Sequence, residues 1–163
     1  MHLIITGGTI DKRYNELTGA VDFAPTSHIQ TMLAQARVDT TPHTLTPLLL
    51  KDSLQLTLED REAILTTLQG SHSNQILITH GTDTMVKTAK FLASYRIDKT
   101  IVLVGAMIPY RFKDSDALFN LGFAMGALQN LVNGVYIAMN GKIFNYDDVA
   151  KNRTLGLFEA VGV

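Results

Sequence analysis

Two short stretches place alcohol side chains just past glycine: IITGGTI, residues 4–10, and ITHGTDTM, residues 78–85. In each, an apolar run suited to a strand passes into glycine and then threonine. Thr9 follows Gly7-Gly8, and paired glycines let backbone amides approach a ligand closely. A threonine so placed can act as a nucleophile if one group takes its proton and another holds the developing oxyanion. Thr82 and Asp83 stand where a helix is expected to begin. There Asp83 can cap backbone N–H groups or bind an ammonium, and the helix start suits a carboxylate. A site of this kind would grip both charged ends of an amino acid. Taken singly, each piece has a plainer reading. Thr82 and Asp83 are ordinary helix caps, GGT is a turn, and Lys151 in DDVAKNR is a solvated lysine. His80 reads as a packing or supporting residue rather than a ligand or base.

The elements that would position these residues follow from hydrophobic patterning. Strands are expected over 2–6, 43–50, 75–81, 99–106 and 134–140, and helices over 27–36, 56–70, 83–95 and 116–131. Ser27 is the expected N-cap of the first helix, and Thr57 with Asp60 suggests a capping box on the second. Pro47 implies that 43–50 is an edge strand or carries a bulge. The runs IIT, ILIT and IVLVG are nearly continuous, as in strands covered on both faces. Alternating strands and helices predict one α/β domain over 1–163: three layers, with a doubly wound, mostly parallel sheet of the flavodoxin or Rossmann kind. Ligands of such sheets bind beyond the carboxyl ends of the strands, where both threonine stretches and VGAMIP, residues 104–109, converge.

Composition narrows the functional classes. The formal net charge is −1, with 14 Lys and Arg against 15 Asp and Glu, so no electrostatic footprint for a nucleic-acid partner exists. The chain has no cysteine, which excludes disulfides, thiolate metal sites and cysteine nucleophiles. Histidines at 2, 28, 43, 72 and 80 never take a metal-ligand spacing. No stretch approaches the ~20 apolar residues of a membrane span. MHLIITGG lacks a signal peptide's features, so a cytoplasmic location is expected. No GxGxxG follows a strand and no GxxxxGK[ST] occurs, which weakens a nucleotide-binding reading.

IITGGTI, ITHGTDTM with KTAKFL, IVLVGAMIP, SDALFNL and DDVAKNRT occur together in the order and approximate spacing of the L-asparaginase family. The chain resembles that family from residue 3 to about 155. The resemblance implies an amidohydrolase that splits L-asparagine into L-aspartate and ammonia through an acyl-threonine, with no metal and no cofactor. It makes Thr9 the nucleophile and Thr82, Asp83 and Lys151 a second triad. It assigns Asp83 to the substrate α-amino group, Ser53 with its neighbour Asp52 to the α-carboxylate, and the carbonyl of Ala106 to the leaving amide. Gly8, Gly81 and Thr82 complete the binding set. Glutamine or D-asparagine as substrate, or a module that binds amino acids without turning them over, are the alternatives.

The pattern departs from the family in three places. The usual loop tyrosine would fall near Gly19 or Ala20; Tyr14 is the substitute, and residues 11–26 are expected to form a lid. Leu54 stands where a glutamine often follows the binding serine. Family members usually run to about twice this length, with a smaller C-terminal domain that is not expected here. The helix over 116–131 and the tail LGLFEAVGV are the expected contacts of a homo-oligomer.

Overall fold

The computed structural model describes residues 1–162. Along the chain lie β1 (His2–Gly7), β2 (Lys12–Tyr14), β3 (Val21–Phe23), α1 (Ile29–Gln35), β4 (Thr44–Lys51), α2 (Leu58–Gln69) and β5 (Gln75–Thr79). They are followed by α3 (Met85–Ala93), β6 (Thr100–Val104), α4 (Ala117–Leu128), β7 (Gly134–Met139), β8 (Lys142–Asn145), β9 (Ala150–Asn152) and β10 (Leu157–Glu159). The main sheet has the order β4-β1-β5-β6-β7-β8. All its pairings are parallel except β7 with β8.

The strands' apolar runs split by parity, because successive side chains point to opposite faces. Ile4, Ile76, Ile78, Ile101 and Leu103 pack with Ile64 and Leu68 of α2 and Met85, Ala89 and Leu92 of α3. Leu3, Ile5, Leu77, Val102 and Val104 pack with Met32 and Leu33 of α1 and Leu121, Ala124 and Leu128 of α4. Two helices therefore cover each face, and the expected three-layer, doubly wound architecture is what forms.

The chain leaves β1, crosses to β4 at the edge, and returns past β1 to continue through β5, β6 and β7. The winding direction reverses between β1 and β5, and a crevice opens at such a switch point because the loops leave toward opposite faces. The Gly7–Thr9 and His80–Thr84 loops leave from these two strands. Their ends are stapled: Thr6 Oγ1 donates to the carbonyl of Thr79 at 2.6 Å, and Thr6 N–H donates to Thr79 Oγ1 at 3.3 Å. Pro47 sits in edge strand β4, as expected, and the register against β1 shifts between Ile5 and Gly7.

Several local expectations give way. Helix α1 starts at Ile29 with His28 in the capping position, while Ser27 accepts from the Ile29 N–H one step outside it. Helix α3 starts at Met85, so Thr82 and Asp83 precede it in a turn and do not cap it; Thr84 occupies the cap. Residues 11–26, the expected lid, are not an irregular loop. They contain the antiparallel β2–β3 hairpin, whose backbone groups pair with each other. The capping box of α2 is present, with Thr57 and Asp60 exchanging bonds. Val163, the last residue of the expected tail contact, lies outside the described residues.

Candidate active site

The loops after β1, β5 and β6 meet at the switch point at contact distance, with the Ser53 turn after β4 packed against them. A Cβ added to Gly8 would lie 2.4 Å from the Gly81 nitrogen, and one added to Gly81 would lie 2.7 Å from Ser53 Cβ and Oγ. The glycines of GGT and HGT are thus required because no side chain can stand where the loops touch. The third loop, after β6, closes on the same point: a Cβ on Gly105 would lie 2.3 Å from the His80 carbonyl and 3.4 Å from Thr82 Cγ2.

Lys151 arrives from 68 residues further along the chain than Asp83. Its Nζ donates to Thr82 Oγ1 at 2.7 Å and to Asp83 Oδ1 at 2.9 Å. The β9–β10 hairpin holds Lys151, with Phe158 opposite it in the register. Phe158 is 1% exposed and belongs to the core, so the lysine's strand is anchored to the fold body. Lys151 and Thr82 are largely buried, and an ammonium in such surroundings strongly favours a negative charge developing on the hydroxyl it touches.

Behind Thr82 runs a second, wholly polar support. His80 is fully buried, and burial pushes its imidazole down to about 4, so the ring is neutral. Its Nδ1 lies 2.8 Å from the Gly81 carbonyl, which can only accept, so Nδ1 carries the proton. Nε2 then accepts from the Thr88 hydroxyl at 2.8 Å. Thr88 Oγ1 in turn accepts from Arg61 Nε at 3.0 Å. Arg61, itself buried on α2, also donates to the carbonyls of Leu56 and Thr57 and to Thr84 Oγ1. His80 is therefore a supporting residue, as its place in the sequence suggests, with its ring nitrogens committed to the Gly81 carbonyl and Thr88 rather than to Thr9 or Thr82.

The remaining expected residues fall as follows. Ser53 is buried; its Oγ accepts from the Thr84 N–H at 3.3 Å and its carbonyl accepts from Thr84 Oγ1 at 2.7 Å. Asp52 caps the turn after it by accepting from the Leu54 N–H and also pairs with Lys12. The lysine hydrogen bond holds the Asp52 carboxyl below its ordinary value. Ala106 is fully buried at the root of the third loop. Thr9, half-buried, opens a single 3-10 turn over Thr9–Asp11. Tyr14 is not brought to this cluster. It is 58% exposed and lines a cleft of about 520 Å³ with Arg13, Asn15, Arg111 and Phe112, among others.

Sequence reasoning assigns no role to Asp116 and Asn120, yet they hold the third loop. Asp116 accepts from the N–H groups of Met107 and Ile108, each at 3.0 Å, and Asn120 Nδ2 donates to the Gly105 carbonyl at 3.1 Å. Asn120 Oδ1 also accepts from the Asn140 N–H, and Asn140 Oδ1 accepts from the Phe158 N–H, opposite Lys151. SDALFNL, with its Asp and Asn four residues apart, carries the only signal: two polar side chains on one face of an otherwise apolar helix.

Comparison with known proteins supplies the context for this geometry. The asparaginase N-terminal domain family matches residues 1–160. A probable periplasmic L-asparaginase of Haemophilus influenzae is 38% identical over 53% of this chain and 26% of its own length. L-asparaginase 1 of Escherichia coli is 29% identical over 93% of this chain and 47% of its own. Among solved structures, the thermostable L-asparaginase of Thermococcus kodakarensis superposes with a TM-score of 0.84 at 29% identity, covering 100% of this chain and 52% of that one. A probable cytoplasmic L-asparaginase of Campylobacter jejuni superposes at 0.78 and 27%, covering 99% and 52%. The chain thus spans about half the length, or less, of the relatives it matches.

Proposed function

This chain belongs to the asparaginase family, and on that premise we propose that it hydrolyses the side-chain amide of L-asparagine to L-aspartate and ammonia. The observation that carries the reading is the contact of the Lys151 ammonium with Thr82 and Asp83 beside the GGT loop. In the proposed reaction the Thr9 oxygen attacks the amide carbon, its proton passes to the amide nitrogen, the C–N bond breaks and ammonia leaves. Water then hydrolyses the acyl-threonine and restores the Thr9 hydroxyl. Lys151 lowers the charge cost at Thr82, which serves as the second alcohol of the site. Asp83 faces the substrate α-ammonium, while Ser53, Asp52, Gly8 and Gly81 frame its carboxylate. The Ala106 carbonyl receives the leaving amide.

Ammonia release from L-asparagine by the purified protein tests the reading. Thr9→Ala is expected to lower that rate by about 10⁴-fold or more. The same variant should retain its melting temperature within a few degrees, because a half-exposed hydroxyl contributes little to stability. A Thr9→Ala protein with wild-type turnover would overturn the assignment.

Tyr14 enters the proposal as the phenol that the β2–β3 hairpin carries toward Thr9 when substrate binds, since that hairpin directly continues the Thr9–Asp11 turn. Tyr14→Phe is expected to lower kcat about 100-fold by removing a hydroxyl that hydrogen-bonds Thr9 and relays its proton, with KM little changed. An unchanged kcat would reduce Tyr14 to surface packing.

A cytoplasmic location and a homo-oligomeric assembly belong to the same proposal. The likeness to the probable cytoplasmic L-asparaginase of Campylobacter jejuni supports the first. No helix among the described residues is long and apolar enough to cross a membrane. Phe119, 63% exposed on apolar α4 and stacked against Phe123, supports the second.

A further inference from the structure

Asp83 does not face Lys151 alone. Arg153 NH1 lies 2.8 Å from the same oxygen, Oδ1, that accepts from Lys151. Lys151 lies on β9 and Arg153 two residues further on, in the turn that follows the strand. Arg153 is aimed by an ordered turn: the Asn152 side chain accepts from the N–H groups of Thr154 and Leu155, and the Gly156 N–H returns to the Asn152 carbonyl. The other carboxylate of the site, Asp52, is already paired with Lys12. Three cations therefore stand against two carboxylates before any ligand arrives.

We infer that Arg153 is a specificity-determining residue that weakens the site's preference for an α-ammonium, so that the advantage of amino acids over amides with no charge at that position is reduced. An arriving ammonium is offered the second oxygen of a carboxylate that already meets two positive charges. Like-charge repulsion then cancels part of the attraction that Asp83 alone would provide. A ligand with the same amide and carboxylate but a plain methylene in place of the ammonium avoids that repulsion. The surplus positive charge meanwhile favours the ligand's carboxylate in both cases. Because Arg153 is 67% exposed, its influence must be modest and screened by salt.

This inference rests on the proposed amide-hydrolysing site, and its test separates the two. The measurement is the ratio of kcat/KM for L-asparagine to that for succinamate, its analogue without the amino group, in wild type and Arg153→Gln. Arg153→Gln is expected to raise the ratio about 3–5-fold, the range of an exposed ion pair. Raising the salt to about 0.5 M, where the screening length is only a few ångströms, should move the wild-type ratio toward the variant's and leave the variant's nearly still. An equal or lower ratio in Arg153→Gln overturns the inference while leaving the activity standing. If wild type turns over neither amide, the activity reading fails, and calorimetry with L-aspartate and succinate decides the charge argument. The variant should then favour L-aspartate over succinate more than wild type does. Equal discrimination by the two proteins, or no binding of either ligand, overturns the inference.

Discussion

Lys151→Met is expected to lower kcat for L-asparagine by about 10³-fold while the folded structure persists. The ammonium it removes lies 2.7 Å from Thr82 Oγ1 and 2.9 Å from Asp83 Oδ1, in a part of the site where the lysine side chain is only 14% exposed. A preorganised cation at that distance from a developing alkoxide acts where water cannot screen it, and removal of one such donor commonly costs 10²–10³ in rate. Stability should fall by only about 1 kcal/mol, for a specific reason. Losing one partner of a buried pair is costly when the other charge is left alone. Here Asp83 retains Arg153 and is itself partly exposed. Methionine also keeps most of the aliphatic length that packs in β9. The measurement is paired: steady-state ammonia release for kcat and KM, and a thermal melt for the fold. A kcat within tenfold of wild type would remove Lys151 from the chemistry.

Much of this arrangement is legible in the sequence, and the reasons are specific. The runs IIT, ILIT and IVLV announce strands covered on both faces because no charged side chain interrupts them, and those strands are β1, β5 and β6. GGT announces a turn whose backbone can be approached closely, but that the approaching group is the HGT loop, with atoms 2.4 and 2.6 Å from where a Gly8 Cβ would be, is evident only in the fold. What stays hidden depends on contacts across long sequence separations. Nothing in local patterning distinguishes Arg61 from a solvated helix arginine; its burial becomes evident only when Thr84, Thr88 and His80 are brought against it. The same holds for Asp116, whose neighbours along the chain say nothing of the N–H groups at 107 and 108. The hairpin over 12–23 looks like a loop in sequence because its strands are three residues each and neither buries an apolar face. Helix α3 starts later than its pattern suggests because the Thr82 and Asp83 side chains serve the Lys151 cluster, and Thr84 supplies the cap position.

The loop contact itself can be broken with a single methyl group. Gly8 has φ 85° and ψ −175°, a conformation open to glycine and almost to nothing else. A Cβ there would sit 2.4 Å from the Gly81 nitrogen and 2.6 Å from its Cα, and these are backbone atoms that cannot swing aside. Gly8→Ala must therefore meet both the conformational cost and the displacement of one loop from the other, an expected loss of about 3 kcal/mol or more. For a chain of this size that corresponds to a fall in Tm of roughly 10 °C. Gly19 isolates the two costs: its φ is +74°, yet an added Cβ would meet nothing within 4 Å at the hairpin turn. Gly19→Ala should lose only about 1–2 kcal/mol, the conformational part alone. The difference between the two melts then measures the contact between the GGT and HGT loops. Turnover should follow that difference, because relief of the clash moves Thr9 away from Thr82, whereas Gly19→Ala leaves both in place. Equal Tm losses in the two variants, or a Gly8→Ala protein of full stability and full rate, would show that the loops do not meet as the fold requires.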